Sequence, residues 1–344
     1  MGAAADTAPG ALMAAEIAQQ PDVLAGLLAA PEPLLEAGAR ITASAPRFVL
    51  IAARGTSDHA ALYAKYLAEV RLQLPVGLAS PSALTVYGAA PDMRDVLFIA
   101  VSQSGRSPDL IDSLTVARAQ GALSLAVTND PDSPLAGAAE LAVDIRAGAE
   151  RAVAATKTYT AELLALHLLF GGPAAARDAA AVPDAAAATL ALNPDDQLAR
   201  CADRLQASQR VVVTARGYSY ATAREAALKL METSYVSALA FSGADLLHGP
   251  LAMIDDGVPV IAISSPGRAG EAMMPILDRV GALGAPILRV GRDGDLPIAG
   301  EGLPEHLLPI LEILPLQRLA WRLALNRGVD PDRPRGLSKV TQTR

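Results

Sequence analysis

"VLIAARGTSDHAALYAKYLAEV" (residues 49–70) and "VVVTARGYSYATAREAALKLMET" (residues 211–233) are two versions of one pattern. Each is a β-rich apolar run, then Arg-Gly-x-Ser, then a helical periodicity. Gly55 and Gly217 stand 162 residues apart. A second pair, "FIAVSQSGR" (98–106) and "VIAISSPGR" (260–268), keeps the same offset, with Gly105 and Gly267 again 162 apart. After each comes a helical segment, a glycine (Gly121, Gly284) and a further apolar run, "ALSLAVTND" and "APILRVGRD". A constant offset over three elements means internal duplication. Short apolar runs alternating with longer helical patterns predict parallel sheets covered by helices on both faces. The fold class is therefore α/β, with two duplicated halves, each a doubly wound three-layer αβα sheet.

Composition narrows the function. The 344 residues suffice for two domains, and 51% apolar residues provide a large core. A net charge of −7 with no basic block argues against nucleic acid as a partner. The single cysteine, Cys201, excludes an internal disulfide and a cysteine-rich metal site, and fits a reducing cytoplasm. The N-terminal stretch carries Asp6 and Glu16 and no basic region, so it is not expected to be a signal peptide. No apolar stretch is long enough to span a bilayer, so no membrane association is expected.

The apolar run Val96–Val101 stops at Ser102-Gln103-Ser104-Gly105-Arg106-Ser107, and a helical pattern follows. Ligands of open α/β sheets bind beyond the carboxyl ends of the strands, where helix N-termini offer unpaired N–H groups to phosphate. Ser102, Ser104 and Ser107 add hydroxyls, Gln103 an amide, and Gly105 a close backbone approach. Thr56 and Ser57 end the first strand in the same way. Together these form a neutral cradle for a phosphomonoester. The alternative is ordinary N-capping by serine, which needs no ligand.

The second half lacks the cradle: Pro266 in Ser264-Ser265-Pro266-Gly267 removes one N–H. It gains charge instead. At the same offset Leu67 becomes Lys229 and Val70 becomes Glu232, so ionic groups replace core-type residues on one helix face. A solvated face supported by Glu225 and Lys229 at i, i+4 is the alternative, and it suits Glu225. His248 lies in a loop pinned by Gly249-Pro250, and imidazole suits proton transfer near neutrality. His59, His167 and His306 have no metal-ligand spacing, so no metal is expected.

The stretches "GTS" (55–57), "SQSGRS" (102–107), "ERAVAATK" (150–157), "EAALKLMETSY" (225–235), "LLHGPLA" (246–252) and "DRPRGLSKV" (332–340) resemble the sugar isomerase (SIS) domain family. The likeness is closest to the isomerase half of glucosamine-6-phosphate synthase and its free-standing deaminase relatives, and it spans nearly the whole chain. It implies two SIS subdomains, 46–175 and 196–328. Around them lie an N-terminal helical segment 1–45, a linker 176–195, and a C-terminal tail 329–344 that folds over the site. Ser102, Gln103, Ser104 and Ser107 match the family's phosphate binders, with Thr56 alongside. Val153 matches a sugar-contacting backbone position. Glu232 matches the carboxylate that moves a proton between C1 and C2, with Lys229 its polar partner. His248 matches the ring-opening residue, which enters a neighbouring subunit's site and so implies a homodimer. Lys339 matches the lysine that forms a Schiff base with the open ketose. No cofactor is implied.

These residue types suit aldose–ketose interconversion. It needs an open chain, a base that relays a proton between adjacent carbons, and stabilisation of an enediol-like intermediate. Arg106 and Met231 depart from the synthase pattern, where a carboxylate and a lysine stand. The synthase also begins with a glutaminase domain whose nucleophile is an N-terminal cysteine, whereas this sequence begins Met1-Gly2-Ala3. Glutamine hydrolysis is thus not expected within this chain, and the expected reaction is glucosamine 6-phosphate to fructose 6-phosphate plus ammonia. The alternatives are the reverse synthesis, with ammonia or a glutaminase acting in trans, and the same chemistry on another amino-sugar phosphate, such as galactosamine 6-phosphate, or on a fructosamine phosphate. A phosphosugar sensor without turnover is the non-enzymatic alternative. It has little use for Glu232, Lys229 and Lys339 together.

Overall fold

The structure, a computed structural model, describes residues 8–339. They form two compact units: Asp22–Gly148 with Thr158–Pro183, and residues 8–21 with Ala149–Lys157 and Asp184–Lys339.

The first unit carries a five-stranded sheet of β1 (Phe48–Ala53), β2 (Val76–Leu78), β3 (Val96–Ser102), β4 (Leu123–Thr128) and β5 (Leu141–Asp144), in the order β2-β1-β3-β4-β5. All neighbours are parallel. The continuous apolar run of β3 has its reason here: Leu97, Phe98, Ile99, Ala100 and Val101 are all fully buried, as a strand covered on both faces requires. One covering layer is the helix Pro108–Ala119, whose Leu110, Leu114 and Ala117 pack on Ala52, Phe98, Ala100 and Ala126.

The second unit carries β6 (Arg210–Ala215), β7 (Ser237–Ser242), β8 (Val260–Ile263) and β9 (Ile287–Val290) in the parallel order β7-β6-β8-β9. Met273, Ile276, Leu277 and Val280 of the helix Arg268–Gly281 pack on Val212, Val260 and Ala262. Strand β6 begins and ends 162 residues after β1, so the duplication is structural. Gly55 and Gly217, the repeat's first landmarks, both have φ +57°. At Gly55 ψ is −129°, a conformation that only glycine adopts readily, so the glycine lets the strand turn sharply into its helix.

In each sheet the chain leaves the first strand to one side and returns on the other, giving a switch point between β1 and β3 and between β6 and β8. Ala53 pairs with Val101, so the Arg54-Gly55-Thr56 and Ser102–Ser107 turns leave the sheet side by side.

The expectation that Leu67 and Val70 are both core residues fails for Val70. Leu67 is fully buried, but the helix Thr56–Leu67 then loosens into a π-helical turn, Ala68–Leu72, and Val70 there is 53% exposed. Among the described residues no helix or strand follows Asn326, yet the C-terminal segment is tied down. Asp332 accepts the Leu12 and Met13 N–H groups at 2.9 and 2.8 Å, neutralising the N-terminus of the helix Ala11–Ala18. Arg335 donates its backbone N–H to the Tyr235 hydroxyl at 2.9 Å, and its guanidinium lies 4.2 Å from the Tyr235 ring centroid. No helix among the described residues is long and apolar enough to cross a membrane.

Candidate active site

The Ser102–Ser107 turn is built by its neighbours. Ser102 Oγ accepts the Gly105 N–H at 3.2 Å, and Asn129, just past β4, donates its N–H to the Gln103 carbonyl at 3.1 Å. Arg54 binds Asp109 Oδ2 through Nε at 2.8 Å and Nη2 at 2.7 Å. This pair joins the turn after β1 to the helix after β3, and nothing in the sequence pattern singled it out. Gly105 is required for a different reason than ligand approach. Its φ is +60°, and a Cβ there would stand 2.1 Å from Ser133 Oγ. The capping alternative is not realised, because Ser107 at the N-cap of Pro108–Ala119 makes no side-chain bond to the helix. Ser107, Ser104 and Gln103 remain partly exposed.

Ser57 differs from its neighbours. It is buried and donates to Glu162 Oε1 at 2.7 Å. Arg106 extends outward and pairs with Asp130 at 2.9 Å.

The second half shows why its matching turn cannot cradle an anion. Glu305 Oε2 and Oε1 accept the Arg268 and Ala269 N–H groups at 3.1 and 2.8 Å. The chain's own carboxylate thus occupies the N-terminus of Arg268–Gly281, where the dipole favours negative charge.

The ionic groups of the second half lie on the helix Ser219–Ser234, and the solvated-face reading of Glu225 and Lys229 is overturned. Both are fully buried, with Lys229 Nζ 3.2 Å from Glu225 Oε1 and 2.7 Å from Glu232 Oε2. Burial works to lower the lysine's pKa, but the two carboxylates outweigh it and raise it, so Lys229 stays an ammonium. Glu232, 21% exposed, is the end of this Glu–Lys–Glu line that meets solvent. A signal for burial was present: Ala221, Ala223, Ala226, Ala227 and Leu230 leave the helix no separate polar face, and all are buried. His248 is exposed at the end of a short helix, Gly243–Leu247.

The loop 149–156 carries Val153 and is braced by two buried carboxylates. Glu16 accepts the Arg151 N–H and, at 3.3 Å, the Ala152 N–H. Burial raises the Glu16 pKa; the Arg151 N–H partly offsets this, and the nearby Glu150 charge adds to it. Glu150 Oε1 accepts the Thr156 N–H at 2.9 Å, and Glu150 Oε2 pairs with Lys339 Nζ at 2.8 Å. The tail lysine therefore meets a buried carboxylate 189 residues away in sequence.

The SIS domain profile matches residues 43–171 and 204–303, the two halves of the repeat. The chain belongs to the SIS domain family. A glutamine–fructose-6-phosphate aminotransferase [isomerizing] of Pyrococcus horikoshii is 36% identical over 307 residues, which are 85% of this chain and 51% of that protein. The corresponding enzyme of Symbiobacterium thermophilum is 36% identical over 356 residues, 95% of this chain and 58% of that protein. The chain thus spans about half the length of these curated relatives. Among solved structures, a Silicibacter pomeroyi protein assigned to the phosphosugar isomerases has a TM-score of 0.82 at 31% identity, covering 93% of this chain and 99% of its own. The C-terminal domain of the glucosamine-fructose-6-phosphate aminotransferase of Francisella tularensis has a TM-score of 0.81 at 25% identity, covering 94% and 98%. Both SIS domains of this chain keep the duplicated strand–Arg-Gly-x-Ser–helix unit, and only the first keeps an open hydroxyl turn.

Proposed function

We propose that this SIS protein is a phosphosugar aldose–ketose isomerase that deaminates glucosamine 6-phosphate to fructose 6-phosphate. The observation that carries the reading is the Glu225–Lys229–Glu232 line. A fully buried ammonium 2.7 Å from a partly exposed carboxylate orients a base for proton relay. In this reading the Ser102–Ser107 turn, with Thr56, holds the phosphate through hydroxyls and helix N–H groups. Ser57, committed to Glu162, braces the turn. His248 opens the sugar ring in a second copy's site within a homodimer, and Val153 contacts the sugar through its backbone.

The steps follow from these roles. Glu232 takes the C2 proton of the open amino-aldose and returns it to C1, leaving an imine at C2. The neutral Lys339 amine attacks that carbon and ammonia leaves. Water then releases the ketose phosphate and frees the lysine. The tail closes over the sugar from residue 329 to Lys339; residues 340–344 lie outside the described residues.

The names of the relatives favour a second reading, synthesis from fructose 6-phosphate with ammonia supplied by another protein. A panel of amino-sugar phosphates, assayed for ammonia and ketose phosphate, separates the two. Ammonia release from glucosamine 6-phosphate by the chain alone supports deamination. Turnover only of fructose 6-phosphate with added ammonia supports synthesis, and ligand binding without turnover supports a sensor.

A further inference from the structure

The contact between Lys339 and Glu150 has a chemical consequence. An ammonium cannot attack a carbonyl, so Lys339 must lose a proton before it forms an imine and a hydroxyl must gain one before it leaves as water. We propose that Glu150 is the proton relay for imine formation at Lys339. This rests on the reading above, in which Lys339 forms the imine.

The geometry fits a relay better than a simple anchor. Glu150 Oε2 is 2.8 Å from Lys339 Nζ, within reach for direct transfer. The other oxygen is held by the Thr156 N–H at 2.9 Å, so the carboxylate is oriented rather than free to turn. The Glu150 side chain is fully buried, while the lysine is 23% exposed, which leaves the amine side open to a substrate. Charged groups face the pair from the N-terminal helix and from the loop's end. Glu16 senses both Glu150 and Lys339 electrostatically, and burial raises its pKa. Lys157 is turned to Gln19, donating at 2.7 Å.

With fructose 6-phosphate the step balances as follows. The Lys339 ammonium passes a proton to the Glu150 carboxylate, and the freed amine forms a C–N bond to C2. The carbinolamine hydroxyl takes the proton back from Glu150, its C–O bond breaks, and water leaves. The product is an iminium carrying the lysine's original positive charge.

The test is the rate at which borohydride fixes one sugar mass on Lys339 in the presence of fructose 6-phosphate, read by peptide mass spectrometry from pH 6 to 10. Wild type is expected to label with little dependence on pH across neutrality. Glu150→Gln should label roughly 10²-fold more slowly at neutral pH. Its rate should recover as pH rises and solvent deprotonates the lysine. An anchoring role would slow labelling equally at every pH, and that result, or an unchanged rate, overturns the relay. Should Glu150→Gln fail to fold, Glu150→Asp replaces it. It should label slowly but keep the wild-type pH dependence, and a rate that climbs with pH overturns the proposal. Absence of sugar on Lys339 in wild type sinks the parent reading itself, and the relay with it.

Discussion

Ser219 donates its hydroxyl to Glu312 Oε1 at 2.9 Å, and 162 residues earlier Ser57 makes the same bond to Glu162 Oε1 at 2.7 Å. Both carboxylates are buried. The duplication has therefore preserved a brace beneath each Arg-Gly-x-Ser turn, while the surfaces above the turns have diverged. The brace in the half without a cradle is the reason to treat Ser57 as structural.

Glu312 makes stability depend on pH. Burial raises its pKa to about 7, against 4.5 for an ordinary glutamate. Between those values the folded state binds more protons than the unfolded chain. The residue's stabilising contribution is therefore complete below pH 4.5 and is lost as pH rises through 7. The loss is on the order of 3 kcal/mol. Glu312→Gln cannot titrate, so urea denaturation at pH 5 and pH 8 should show a smaller decline for the variant than for wild type. Parallel declines would refute the assignment.

Lys229 is fully buried between the buried Glu225 and the partly exposed Glu232. Lys229→Met should cost about 3–5 kcal/mol, because Glu225 is left buried and uncompensated. Adding Glu225→Gln should restore a large part of that loss, as residues in one network are not additive. Denaturant midpoints of the two single variants and the double measure this directly, and simple additivity would show that Lys229 and Glu225 are not coupled.

The phosphate turn and its brace should respond differently to truncation. Ser104→Ala and Ser107→Ala are each expected to raise the KM for a phosphosugar several-fold, about 1 kcal/mol per hydrogen bond, with little change in thermal stability. Ser57→Ala should lower the melting temperature first. A KM effect at Ser57 with unchanged stability would return it to the ligand.

If His248 serves a second copy's site, mixing His248→Ala with Glu232→Gln chains creates dimers that retain one intact site. The mixture should then reach about a quarter of wild-type activity after subunit exchange. Two inactive proteins that stay inactive when mixed, despite confirmed exchange by native mass spectrometry, would place each site within one chain.

Periodicity revealed the duplication because parallel strands buried on both faces leave uninterrupted apolar runs. It was silent on β2 and β5, of three and four residues, and on β7, which is mostly exposed or half-buried and so lacks a continuous buried apolar run. Glu225 was misread because i, i+4 charge spacing looks the same on a wet face as in a buried network. Val70 was misread because the π-helical turn at Ala68–Leu72 moves it off the buried face. The Glu305 plug and the Glu150–Lys339 pair join residues 36 and 189 positions apart, where no linear pattern reaches.

The most direct test of the account follows solvent deuterium into C1 of fructose 6-phosphate, catalysed by this chain without other proteins. Wild type should incorporate deuterium, and Glu232→Gln should do so roughly 10²-fold more slowly. The variant should still bind the sugar phosphate in a phosphorus NMR titration. No incorporation by wild type, or undiminished incorporation by the variant, would contradict the proton relay on which the proposed function stands.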